Sequence, residues 1–490
     1  MPSDVRTALG TATRGVADLP CPPGIPLVGN ALQINSTQFH LTLERWARAQ
    51  GPIYRFRVGH RNIMVISDLE LIGNLLRDRP DAIRRPSRDS RLIGELGSTG
   101  VFIAEGADWR KQRKLVMRAL TPEMVRNFFP TLAAMTERLR LHWQAAIREG
   151  RRVDLLRDLR AYTLDVTMAL AMGQDSNTLE HDDNPLQRDA EFVFNRIGRR
   201  LLMPFAYWRY FKLKADRHAE ASAARIRDAV GGFIAQARAR LAANPELREK
   251  PANLMDALVC ARDEPESGFT DEMVVGNAIT MVFAGEDTTS NTIAWLLDFV
   301  SRDAEVARRL AAEADAVLHA DAEAGSGRVL RRFAALDKFS YLDAATNEAM
   351  RLKPVAPIMG MEPNHDMVVG DIIVEKGQLM IALLREAARL PAEFPEINAF
   401  RPERWLSASA LPKKDHPTRK LFPFGGGQRL CPGRFLALAE IKMVVSMIMR
   451  NFAVAPERGA PPVQELFTFT MNPSALPLTL TLRESPPQSP

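Results

Sequence analysis

Apolar positions in this chain recur mainly at helical spacing, every three or four residues, and alternate at strand spacing only in short stretches. Ser36 and Thr37 can cap a helix whose Phe39, Leu43 and Trp46 share one face, with Gly51-Pro52 to end it. "IYRFRVG" and "NIMVIS" alternate around a Gly-His-Arg turn and predict a β-hairpin. From Asp68 onward the pattern predicts helices near 69–78, 107–120, 131–148, 154–172, 216–243, 252–263, 271–301, 303–320 and 341–352. Strand-like pieces return near 367–383 and 466–482, and the apolar run after Cys431 predicts a further helix starting near Pro432. No internal repeat is visible. The pattern gives a mainly α protein with small β-sheets: one large domain over 20–482, a flexible segment at 1–19, and a disordered tail, "RESPPQSP", at 483–490.

Composition narrows this further. The 490 residues are 46% hydrophobic and 25% charged, as expected for a soluble globular protein with a large core. Three cysteines cannot form a disulfide framework and suit a reducing, cytoplasmic location. Cys260 lies on the apolar side of an expected helix and reads as core; Cys21 sits in the proline-rich "LPCPPGIPLVGN". The first residues, "MPSDVRTALGTATRG", resemble neither a signal peptide nor an anchor, and no window reaches the roughly 20 apolar residues of a membrane span. A net charge of +6 fits an acidic partner, but no nucleic-acid module accompanies it. Gly24 to Gly29 has the glycine spacing of a phosphate loop, yet Asn30-Ala31 replaces its Lys-Ser/Thr and prolines replace its strand. No GxGxxG follows a strand, so nothing marks a nicotinamide or flavin module, and no histidine spacing suggests zinc.

The third cysteine stands in "LFPFGGGQRLCPGRF" (421–435). A thiolate is a strong ligand for iron and donates electron density to it. Such a ligand needs a backbone that approaches the cofactor closely, N–H groups aimed at the sulfur, and a cation for the cofactor's anionic groups. Gly425–Gly427, Arg429 and Gly433 offer these around Cys431, and the N-terminal end of the following helix favours the thiolate. A buried cysteine in a Gly-rich turn is the plainer reading. Phe424-x-x-Gly427-x-Arg429-x-Cys431-x-Gly433 resembles the haem-binding loop of the cytochrome P450 family, and other family motifs appear in order from about Pro20 to about Leu482. The resemblance implies a haem domain with a long central helix over the haem. The cofactor would be haem b with Cys431 as axial thiolate ligand, Arg429 at a propionate and Phe424 beside the sulfur.

Three constellations support it. Glu348 and Arg351 sit three apart on a helix, which alone would suit a surface ion pair. The family's E-x-x-R, followed here by "FRPERW", implies a buried cluster of Glu348, Arg351 and Arg404 bracing the cysteine loop. Trp109 and Arg113, four apart, share a helix face and could mark a basic surface helix; the family's W-x-x-x-R implies that both meet the propionates. The helix at 271–301, roughly 45 Å long, is apolar from Ala278 to Ala284 and then turns polar at Gly285, Asp287, Thr288 and Thr289. Those residues are poor helix formers, and a threonine can bend a helix by bonding back to a carbonyl. Ala284 to Thr289 matches the family's oxygen-binding groove, formed at Ala284 and Gly285. By that resemblance Thr288 hydrogen-bonds to the bound oxygen and Asp287 relays protons.

Two departures stand out. Met361-Glu362 occupies the place where many members carry a propionate-binding arginine, and "AARLPAEFP" replaces the usual His-Arg-Asp-Pro segment. The resemblance implies a monooxygenase that inserts one atom of O2 into a hydrophobic small molecule, by hydroxylation or epoxidation, with two electrons from a ferredoxin, flavodoxin or reductase. Substrate-facing candidates are Phe102, Phe283, Ala284, Ala356, Ile358, Phe469 and Thr470. Arg110, Lys111, Lys114, Lys413, Lys414 and Arg419 are the candidate docking charges. "RRLLMPFAYWRYFKLK" (199–214) could form the pocket mouth, rest on a membrane surface, or be a solvated helix end. A peroxide-driven or rearranging enzyme and a haem-binding sensor are the rival readings. The Asp287/Thr288 pair argues against the first, and the lack of an output module against the second.

Overall fold

The computed structural model describes residues 14–97, 99–180, 185–203, 205–264, 266–322, 327–389, 394–407 and 416–483. A two-residue strand, β1 (Arg14–Gly15), leads to α1 (Phe39–Gln50), the hairpin β2 (Ile53–Val58) and β3 (Arg61–Ile66), α2 (Leu69–Arg77), β4 (Ile83–Arg84) and α3 (Ser87–Gly94). The helical body follows: α4 (Gly106–Ala119), α5 (Pro122–Arg148), α6 (Leu155–Met172), α7 (Pro185–Leu202), α8 (Lys214–Ala243), α9 (Leu254–Asp263), α10 (Asp271–Ser301), α11 (Ala304–Ala320) and α12 (Ser340–Leu352). Strands β5 (Ile358–Pro363), β6 (Met367–Val369), β7 (Ile372–Val374) and β8 (Met380–Leu383) precede the short helices α13 (Leu384–Ala387) and α14 (Glu403–Ser407). Helix α15 (Arg434–Asn451) and strands β9 (Phe452–Pro456), β10 (Glu465–Phe467), β11 (Met471–Pro473) and β12 (Leu478–Leu482) close the chain.

The largest sheet has the order β2-β3-β8-β5-β4, with β3 and β8 parallel and the other pairs antiparallel. The expected hairpin forms in register from Ile53↔Ile66 to Val58↔Arg61. Within the segment expected to be flexible, Arg14–Gly15 pairs with Ile372–Ile373, and Arg14 holds Asp371 at 2.8 Å. Residues 1–13 and 484–490, including nearly all of the tail expected to be disordered, lie outside the described residues.

The helices follow the apolar spacing with three corrections. Helix α5 starts at Pro122, not near 131: Thr121 caps it through the Met124 N–H, Pro122 takes the first turn, and Pro130 is accommodated inside. Helices α3 and α7 were not anticipated, although Leu186, Ala190, Val193 and Ile197 carry the helical period of α7. The long helix begins at Asp271, where Thr270 accepts from the Met273 N–H, and its apolar sides are buried nearly all round. It lies against α6 so closely that a Cβ at Gly285 would collide with Thr167. Ile293, Leu296 and Leu297 of α10 join Leu164 of α6 and Met447 of α15 in one large core. Among the described residues no helix is long and apolar enough to cross a membrane.

Candidate active site

Cys431 lies where the loop from Leu421 turns into α15. Its N–H donates to the Phe424 carbonyl at 2.9 Å, which folds 424–431 into a tight loop. Gly425 and Gly427 have φ of +73° and +61°, open at low cost only to glycine. A Cβ at Gly427 would strike the Leu76 carbonyl on α2, so this glycine sets how closely the loop approaches α2. The thiol is open to solvent yet ringed by protein atoms. That crowding raises its pKa, while the Gly433 N–H, Arg113 and Arg434 pull it back.

Helix α4 folds onto this loop from more than 300 residues away in sequence. Arg113 donates to the Leu430 carbonyl, adjacent to the cysteine. The Arg429 guanidinium lies 4.5 Å from the Trp109 ring centroid and donates to the Ala104 carbonyl at 2.8 Å. It also pairs with Glu105. Two further arginines join them, and the sequence motifs had not pointed to either. Arg85 stacks 3.8 Å over Phe102, and burial with repulsion from Arg79 and Arg429 lowers its pKa to about 9. Burial, with Arg79 and Arg113 nearby, likewise lowers Arg429 to about 10 despite Glu105. Among the described residues, buried Arg79 has no carboxylate in hydrogen-bond contact, and the Nε atoms of Arg79 and Arg429 are buried without partners. Glu105 thus serves Arg79, Arg85 and Arg429, with Asp89 also near Arg85 and only Cys431 near Arg113. At Glu362, where an arginine was sought, a carboxylate instead binds Arg84 and the Ser87 N–H.

These residues fit a haem. An accessible thiol stands on a glycine loop, beside a surplus of buried positive charge that two propionates would neutralise. Arg79 and Arg85 offer the cations that the strand after α12 lacks. The signal was legible only as "RDRPDAIRRP", basic residues in a loop with no motif of its own.

The structure brings Glu348, Arg351 and Arg404 together in one cluster. Glu348, fully buried, accepts from Arg351 at 2.9 and 2.8 Å, Arg404 at 3.0 Å, the Arg401 N–H at 3.1 Å and the Trp405 indole at 2.9 Å. Trp405 packs with Phe394 and Leu421, the residue that opens the cysteine loop.

On α10, Ala284 is exposed between buried Phe283 and half-buried Gly285. The Thr288 hydroxyl donates to the Ala284 carbonyl at 2.9 Å, one turn back on the same face. Asp287 accepts from the Thr470 hydroxyl at 2.6 Å, and its other oxygen stands 3.7 Å from Arg160. Thr470, expected to line the substrate pocket, is 5% exposed and turned to Asp287. The expected Phe102, Phe283 and Phe469 do come together, through Phe194 of α7. Phe194 lies 5.9 Å from Phe283 and 4.8 Å from Phe469, which lies 5.7 Å from Phe102. Ala356 and Ile358 are half-buried, and Ile358 packs with the Phe39–Phe56 core beneath the large sheet rather than with these rings.

A sequence model described as cytochrome P450 matches residues 19–480. The chain is 29% identical to the human mitochondrial 25-hydroxyvitamin D-1 alpha hydroxylase over 93% of its length and 90% of the relative's. It is 24% identical to the chloroplastic protein LUTEIN DEFICIENT 5 of Arabidopsis thaliana over 95% and 78%. It is also 26% identical to a bifunctional cytochrome P450/NADPH–P450 reductase of Acremonium egyptiacum over 89% of this chain but only 40% of that protein.

Proposed function

The chain belongs to the cytochrome P450 family and is a haem-thiolate monooxygenase; from this premise we propose that Cys431 holds the haem iron and that the substrate is a hydrophobic small molecule, hydroxylated or epoxidised next to Phe102, Phe194, Phe283 and Phe469. The observation that carries the site assignment is the meeting of two distant motifs: Arg113 on the Leu430 carbonyl and Arg429 over Trp109. When bound, haem b supplies activation of O2 with two electrons and two protons, one oxygen atom entering the substrate and the other leaving as water. The chain's own residues do the rest. Trp109, Arg113 and Arg429, with Arg79 and Arg85, hold the cofactor's carboxylates. Phe424 and Gly433 shape the thiolate's surroundings, and the Gly433 N–H steadies its charge. Thr288 presents a hydroxyl on the Ala284 face, and Asp287, fixed by Thr470, supplies the proton. The aromatic cluster excludes water and suits an apolar substrate. The name of the human relative, a hydroxylase of a 25-hydroxyvitamin D, accords with that substrate class.

Electrons would come from a separate acidic protein, a ferredoxin, flavodoxin or reductase. On the cysteine-loop side a cleft of about 430 Å³ is lined by Arg419, Phe424, Arg434 and Lys442. Arg110 and Lys111 extend the charge on α4, although Arg110 already pairs with Asp81; Lys413 and Lys414 lie outside the described residues. Between α7 and α8, Phe205, Tyr210, Phe211 and Leu213 are more than half exposed, a surface suited to peripheral contact with a membrane at the pocket mouth. Three free cysteines accord with a cytoplasmic enzyme.

The test is turnover under ¹⁸O2 with a surrogate ferredoxin and a panel of fatty acids, terpenoids, steroids and aromatics chosen by haem spectral shift. One labelled oxygen per product is expected. Thr288→Ala should divert electrons to hydrogen peroxide, while haem binding persists. Wild-type coupling in that variant would favour the peroxide-driven reading.

A further inference from the structure

A small polar cavity lies behind Asp287, against the backs of Phe194 and Phe283. It measures about 40 Å³ and is lined by residues of α6, α7, α10 and β11, among them Arg160, Glu191, Glu286, Asp287 and Asn472. Water needs about 10–15 Å³ of such volume per molecule, so two or three fit. Three carboxyl groups here face one guanidinium. Arg160 stands 3.7 Å from Asp287 and 3.8 Å from Glu191, both beyond hydrogen-bond reach, and its Nε is buried without a partner among the described residues. Such gaps between polar groups suit bridging water.

Glu286 is the anomaly. It is 4% exposed in mid-helix, and its Oε1 has no partner among the described residues. Burial, then the like charges of Glu191 and Asp287, push its pKa well above the ordinary carboxylate range, against Arg160 and a hydrogen bond from Gln187. Such a placement favours the protonated, neutral form of the carboxyl group. Glu191 stands at the outer end, its side chain 40% exposed, against 24% for Arg160 and 16% for Asp287. The groups thus run from solvent inward toward the Asp287–Thr470 hydrogen bond.

We propose that Glu286, Glu191 and Arg160 form the proton intake of Asp287, with the carboxylic acid of Glu286 as its internal reservoir. The O–H bond of Glu286 breaks as its proton passes through cavity water to an Asp287 carboxylate oxygen. The Glu286 carboxylate then regains a proton from solvent through water held by Glu191 and Arg160. Arg160 offsets the transient negative charge. Glu286 acts through Asp287 and touches neither substrate nor haem. This inference rests on the monooxygenase reading and adds the route by which its protons arrive.

The full-length protein loaded with haem is compared with Glu286→Gln, Glu286→Asp and Glu191→Gln. Glutamine keeps the shape and the hydrogen bond with Gln187 but carries no proton; aspartic acid restores an acid. Infrared spectra of the resting protein read the carbonyl band of a protonated carboxyl group, which Glu286→Gln should remove and Glu191→Gln should keep. Oxygen consumption driven by NADPH through a surrogate ferredoxin and its reductase should fall about tenfold or more in Glu286→Gln, less than the roughly hundredfold of a group that acts directly, because Glu286 acts through Asp287. Its solvent deuterium isotope effect should rise, and Glu286→Asp should recover most of the rate. A Glu286→Gln variant that keeps the wild-type rate and isotope effect, or that loses no infrared band, overturns the intake. So does failure of Glu286→Asp to rescue, which would mean that Glu286 matters only for packing. Wild-type protein that consumes no oxygen would instead refute the monooxygenase reading, while the infrared result would still decide whether Glu286 holds a proton.

Discussion

Replacing Glu348 by glutamine keeps the side chain's shape and removes only its charge. In the native fold that charge serves five donors: two nitrogens of Arg351, Arg404 Nε, the Arg401 N–H and the Trp405 indole. Arg351 and Glu348 have no exposed side-chain surface, and Arg404 has 13%, so solvent cannot replace the lost anion. Breaking such a buried pair from one side costs about 3–5 kcal/mol, because the cations stay buried without a counter-charge. Unfolding entropy of about 2.1 cal/mol/K per residue over 490 residues gives ~1 kcal/mol per kelvin. The midpoint should therefore fall by about 3–5 °C. Since Trp405 packs on Leu421 at the start of the cysteine loop, haem should also be lost faster from the variant. Calorimetry of the holo-protein and transfer of haem to apomyoglobin measure the two effects. A Glu348→Gln protein within about 1 kcal/mol of wild type, with unchanged haem retention, would refute the buried brace.

Glu465 is pushed up by burial, but its hydrogen bond with His40 and the charges of Arg385 and Lys353 hold it well below the ordinary carboxylate range. A depressed folded pKa contributes stability above the unfolded value of about 4.3 and loses it as pH falls. Urea titrations should thus show Glu465→Gln less stable than wild type by about 3–5 kcal/mol at pH 7, the gap narrowing below about pH 4. Arg85→Met should leave the apo-protein as stable as wild type or more so, by relieving repulsion from Arg79 and Arg429, yet speed haem loss; a destabilised apo-protein that retains haem would contradict the surplus-cation account. Stopped-flow reduction by an acidic ferredoxin should slow as salt rises and slow several-fold in Arg419→Glu, and an unchanged rate would remove the cysteine-loop side as the docking face.

The cysteine loop was legible because its chemistry is written in consecutive residues, from Phe424 to Gly433. Glu348 and Arg351 were legible as a spacing, but their burial was not; that depends on Trp405 and the backbone of 397–401 arriving from elsewhere. Arg79 and Arg85 escaped because loop arginines carry no periodicity, and only the fold brings them to Arg429. The Thr470–Asp287 hydrogen bond escaped for the same reason, its partners lying 183 residues apart in sequence. Phe194 was within reach. Its helix has a regular apolar period, overlooked beside the aromatic and basic residues that follow it. The start of α5 was hidden by Pro130, which reads as a boundary in sequence yet sits inside the helix.

The central claim is that Cys431 supplies a thiolate to haem iron. Reduced protein under carbon monoxide tests it directly. Wild type should show the red-shifted Soret band of a thiolate-ligated haem, and so should Cys21→Ser and Cys260→Ala. Cys431→His should bind haem without that band. A normal thiolate spectrum from Cys431→His would contradict the account at its base.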